Sequence, residues 1–135
     1  MSQRARMFWI RFPYYLGIVA DALWAIALFF PNVYGVMTSN PGFDPNLETR
    51  LIMGIGGSLM TGWTVLLAWG VIKPLERRMV ILITAFPVVF GMFVIATIGV
   101  IKGETSGLWL VLKTLFLLVT MVISFILAGI EHRRS

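Results

Sequence analysis

The sequence predicts an all-α polytopic membrane protein, an antiparallel up-down four-helix transmembrane bundle in a single domain over residues 1–135. Three observations carry this. Apolar residues make up 59% of the chain and charged residues 13%, against about 45–50% and about 25% in a soluble domain. Mean hydropathy is +0.90. Four apolar runs, near residues 12–37, 51–72, 79–101 and 107–130, each reach the roughly 20 residues that a helical span needs. The links between them are too short to hold a soluble domain. Barrel strands would alternate polar and apolar over about ten residues, and these runs do not.

Composition excludes whole classes of chemistry. There is no cysteine, and His132 is the single histidine. Disulfides, thiol redox centres, Cys-ligated clusters, multi-His zinc and bis-histidine haem are therefore out of reach, and neither a metal nor a cofactor is expected. The net charge of +5 does not form a nucleic-acid patch, because the basic residues fall between the apolar runs.

Those basic residues set an orientation. Arg4, Arg6, Arg11, Lys73, Arg77, Arg78, Arg133 and Arg134 fall on one side, and Arg50 and Lys102 on the other. The positive-inside rule then makes both termini and the middle link cytoplasmic. The first run continues past Ala25-Ile26-Ala27 into Phe29 and Phe30, which reads as an uncleaved signal anchor. A multi-pass protein of a cell membrane, the prokaryotic inner or plasma membrane, is expected.

In chain order, the first run carries Pro31, which removes a hydrogen bond to the Ala27 carbonyl and predicts a kink. The segment 38–45 is dense in turn formers, and Asp44-Pro45 predicts a capped helix start near Pro45. Residues 73–78 form a tight link. The third run carries Pro87, with a second kink predicted where the Ile83 carbonyl loses its donor. The link 102–106 offers Thr105 or Ser106 as the cap of the fourth helix. Short links force antiparallel neighbours. Trp9, Trp69, Trp109, Tyr14, Tyr15 and Tyr34 lie near run ends, where aromatic belts form. Trp24 and Trp63 lie deeper and are the aromatics best placed to line a pocket.

Two ionisable residues lie inside the runs, Asp21 and Lys113. Each costs about 2.5–3.5 kcal/mol at a helix centre on insertion scales. Their depths bring them to similar heights, so an ion pair between the first and fourth helices is geometrically open. Helix one repeats Tyr14, Gly17, Asp21, Ala25, Leu28 and Asn32 along one face. Helix four lines up Ser106, Lys113, Thr120 and Ser124. Three readings stand: a structural pair, a snorkelling lysine with a protonated Asp21, or a site for a proton, an ion or a polar headgroup. The candidate polar site is Asp21, Lys113, Trp24, Asn32 and Thr120.

Helix two has a different signature. Gly54, Ser58 and Gly62 form two overlapping small-xxx-small steps, with Gly57, Thr61, Thr64 and Ala68 beside them. Such residues let backbones approach closely in lipid, within the bundle or in a dimer. The row lacks the Gly-Lys-Ser/Thr ending of a phosphate loop. Lys73, Arg77 and Arg78 are three charges, fewer than the four to eight of a usual polybasic lipid site. No catalytic constellation emerges.

Gly56-Gly57-Ser58-Leu59-Met60-Thr61-Gly62-Trp63, then Leu67-Ala68-Trp69, then Lys73-Pro74-Leu75-Glu76-Arg77-Arg78 resembles small four-span prokaryotic membrane proteins similar to the DoxX-like group. The resemblance covers the middle third of the chain and implies the four-span fold without an activity. The expected function is a non-enzymatic binding or accessory module for a lipid or a larger membrane complex. The alternative is a small oligomeric transporter or channel using Asp21 and Lys113; a lipid-modifying enzyme ranks third. The expected partners are the lipid bilayer and a second copy or larger membrane complex, with no nucleic acid.

Overall fold

A computed structural model describes residues 1–103 and 108–134. Among these residues all regular structure is helical. The elements are α1 (Gln3–Phe29), α2 (Pro31–Met37), α3 (Leu47–Ile72), α4 (Arg78–Ile83), a π-helical segment (Thr84–Val89), α5 (Phe90–Ile101) and α6 (Leu108–Arg134). Four stretches are long and apolar enough to cross a membrane: Gln3–Phe29, Leu47–Ile72, Arg78–Ile101 and Leu108–Arg134. This is the fold class expected from the sequence. The Thr105 or Ser106 cap, and Ser106 in the helix-four stripe, lie outside the described residues.

α1 starts well before the apolar run. The Ser2 hydroxyl accepts a hydrogen bond from the Ala5 N–H at 3.2 Å, a cap that hydropathy does not register. Arg4, Arg6 and Arg11 are therefore helical, and Pro13 lies inside the helix. At the far end Pro31 divides the helix where a kink was expected. Phe30 is extended (φ −118°, ψ 99°), and Pro31 opens α2. A residue before proline is pushed towards extended geometry, and proline suits the first helical position.

The start of α3 falls two residues beyond Pro45. Asn46 caps it, its side-chain oxygen accepting from the Thr49 N–H at 2.8 Å. Pro87 lies in the π-helical segment after a cis Phe86–Pro87 bond, with Phe86 non-helical (φ −130°, ψ 117°). A residue before proline is pushed towards extended geometry, and the span kinks here as it does at Pro31.

The described chain gathers into two compact units. The first comprises residues 1–16 and 69 onward; the second is Gly17–Ala68. In the first unit α6 packs along α4, the π segment and α5. Its core holds Ile10, Pro13, Tyr14, Ile81, Thr84, Met121 and Ser124, all fully buried. The Ser124 hydroxyl donates to the Ile10 carbonyl at 2.6 Å. Arg6 pairs with Glu131 at 3.2 Å.

Tyr14, expected in an interfacial belt, is instead a core residue. Its ring lies over Gly70, where an added Cβ would come within 2.7 Å of the ring, and its hydroxyl donates to the Arg77 carbonyl at 3.3 Å. The N-terminal segment, the 73–78 link and the end of α6 thus meet at one end of this unit. In the second unit α3 packs on the end of α1, with Gly57 under the Phe29 ring and Gly56 under Leu28.

Candidate functional site

In the second unit, Asp21 sits two turns before the end of α1 and is half-buried. One turn on, the half-buried Trp24 ring lies 6.2 Å from Tyr34 of α2, and Tyr34 lies 4.8 Å from Phe43. The break at Phe30 lets α2 bring Tyr34 to Trp24. These rings form an aromatic cluster next to Asp21 in sequence. Asn32, in the first turn of α2, is exposed.

The structure divides the small residues of α3. Gly57 is buried, and a Cβ there would stand 3.2 Å from the Phe29 ring. Gly54 and Gly62 have no atom within 4 Å of such a Cβ. Ser58 is exposed and donates to the Gly54 carbonyl at 2.9 Å. At about 100° per residue, Ser58 and Gly62 turn away from the buried row of Met53, Gly57 and Leu67, whereas the half-buried Gly54 stands at the edge of that row and lines a cavity with Leu28, Phe29 and Pro31. Thr61 and Thr64 also turn their hydroxyls to carbonyls of their own helix, Gly57 at 2.9 Å and Met60 at 2.8 Å. That back-bonding satisfies each hydroxyl without a neighbour.

In the first unit, Lys113 is exposed, and its ammonium lies 5.2 Å from the centre of the Trp109 ring one turn earlier. This is the posture of a lysine reaching towards the near end of its helix along an aromatic face. Thr120 is buried and donates to the Leu117 carbonyl at 2.8 Å. Asp21 and Lys113 belong to different units, each with these surroundings.

The basic end of the first unit contains contacts that sequence reasoning missed. The Arg77 guanidinium stacks over Trp69 at 3.8 Å and donates to the Trp69 carbonyl at 2.5 Å. Lys73 pairs with Glu76 at 3.2 Å. Arg78 lies over Phe125 of α6, 5.8 Å from the ring centre. Among the described residues no cluster of His, Asp and Glu has the makings of a metal site. No protein-family model, curated protein or solved structure matches the chain.

Proposed function

We propose that the chain is a non-catalytic accessory module of a cell membrane, and that α3 seats a helix from a second copy or from a larger membrane complex. The carrying observation is the open side of α3. It is the least covered of the four apolar helices, with 17% of its apolar stretch buried against 22–33% for the others. Ser58 and Gly62 run down that side among exposed Leu51, Ile55 and Val65, with Gly54 at its edge. Small residues between aliphatic ridges allow the close backbone approach on which helix association in lipid depends.

The orientation belongs to the same proposal: termini and 73–78 link in the cytoplasm, in a prokaryotic inner or plasma membrane. The Tyr14–Arg77 and Arg6–Glu131 contacts support it by grouping those segments.

The test exploits the absence of native cysteine. Ser58→Cys should cross-link to a dimer under mild oxidation in native membranes if the occupant is a second copy. A photoreactive residue at 58 should give one discrete protein adduct if the occupant is another subunit. Position 52, also exposed but on another side of α3, is the control. Lipid adducts alone at both positions would overturn the reading.

A second reading, a small oligomeric transporter or channel, rests on Asp21. A half-buried carboxylate within an apolar span is costly unless hydrated or paired, and such residues mark ion and proton paths.

A further inference from the structure

Arg78 opens α4, and Arg133 lies in the last turn of α6. Between them runs a groove of about 370 Å³, floored by Phe125, Ile126, Gly129 and Ile130. Gly129 is a notch in that floor: a Cβ there would stand 3.0 Å from Nη1 of Arg78. The guanidinium therefore lies across α6, above Phe125, rather than reaching away from it.

Among the described residues, no carboxylate pairs with the arginines of this groove. Glu131 and Glu76, close to them in sequence, are engaged by Arg6 and Lys73. Among the described residues neither Arg78 nor Arg133 forms an ion pair. Two guanidiniums on different helices thus flank an apolar floor at the end of two membrane spans. Guanidinium presents a donor fork that matches a phosphate. Bare phosphate has no use for the floor, where Ile126 and Ile130 are exposed. An acyl chain does.

We propose that this groove binds one anionic phospholipid, Arg78 and Arg133 holding its phosphate and Phe125, Ile126 and Ile130 receiving the start of an acyl chain. The site deepens the lipid-binding side of the proposed module. It rests on the membrane setting and is independent of what α3 seats. Sequence counting passes over it, because it sees three basic residues in the 73–78 link and does not join Arg133 to them.

The experiment is native mass spectrometry of the full chain in detergent, incubated with equal amounts of dioleoyl phosphatidylglycerol and dioleoyl phosphatidylcholine. The parent should retain phosphatidylglycerol preferentially as a single adduct. Arg78→Gln and Arg133→Gln should each reduce that preference about five-fold, the scale expected of one basic residue near an anionic surface. Arg78→Lys should keep part of it. Gly129→Leu should weaken it by filling the notch. The double variant Arg4→Gln/Arg11→Gln, which alters the arginines of a separate groove on α1, should leave it intact. Helical circular dichroism confirms that each variant is folded.

Equal retention of the two lipids by the parent, or an unchanged preference in folded Arg78→Gln and Arg133→Gln, would overturn the site. Loss only in the α1 double variant would move it to α1 and overturn it equally. Complete displacement by inorganic phosphate would show a bare anion site and overturn the lipid assignment. None of these outcomes bears on cross-linking from position 58.

Discussion

The hydroxyl of Ser124 donates to the backbone carbonyl of Ile10 at 2.6 Å, across 114 residues of chain, with Ser124 completely buried. This bond ties α6 to α1 within the packed core of the first unit. Ser124→Ala should therefore lower stability by about 1–2 kcal/mol. Ser124→Val, which adds bulk at the contact, should cost more. Thermal unfolding in a fixed detergent checks both, and an unchanged midpoint for Ser124→Ala would mean that the bond contributes nothing.

The glycines should separate into two groups. Gly70→Ala forces the Tyr14 ring to move and should cost about 1–3 kcal/mol. Gly57→Leu should likewise lower the melting midpoint, by displacing Phe29. Gly62→Leu should leave the midpoint of the isolated chain unchanged and abolish cross-linking from position 58. A Gly62→Leu variant that melts early would place that residue inside the fold.

Orientation is read by labelling. With single cysteines at Asn40 and Arg134, a membrane-impermeant thiol reagent added to intact cells should modify the first and spare the second. The reverse pattern would invert the topology and put the Arg78–Arg133 groove on the outer face.

The two ionisable residues of the spans should behave differently when neutralised. Lys113→Met should change stability by less than about 1 kcal/mol, since the ammonium is exposed against Trp109. Asp21→Asn should raise the melting midpoint, because a carboxylate in an apolar span costs about 2.5–3.5 kcal/mol on insertion scales and an amide less. A lowered midpoint would show that Asp21 has a partner. A stable variant without biological effect would favour the transporter reading.

What the sequence reveals follows from which forces are local. The apolar runs register burial in lipid, so they mark the spans. They do not mark helix ends, which is why α1 begins at Gln3, where the Ser2 hydroxyl caps it, and not near Phe12. Asp44-Pro45 and Asn46 are competing caps two residues apart, and the Asn46 side chain takes the N–H of Thr49. Pro31 and Pro87 look alike in sequence and each follows an extended phenylalanine, but the break at Pro31 opens a separate short helix and the one at Pro87 kinks a span. The four-residue spacing of Gly54, Ser58 and Gly62 is plain in sequence, but the face that receives Phe29 depends on tertiary packing. The groove is the least legible feature. Arg78 and Arg133 are far apart in the chain, and nothing local distinguishes Gly129 as the notch between them.

The grouping of residues 1–16 with the chain from Trp69 onward has a consequence for biosynthesis. A ribosome delivers the opening turns of α1 first, yet their partners Ser124 and Glu131 emerge only as α6 is finished. Through most of translation Ile10 and Arg6 must wait without these contacts. A nascent chain halted after α5 would hold that half of α1 in a provisional state, visible to insertion chaperones and membrane proteases. Synthesis of α6 is then the step that locks the opening turns of α1 in place.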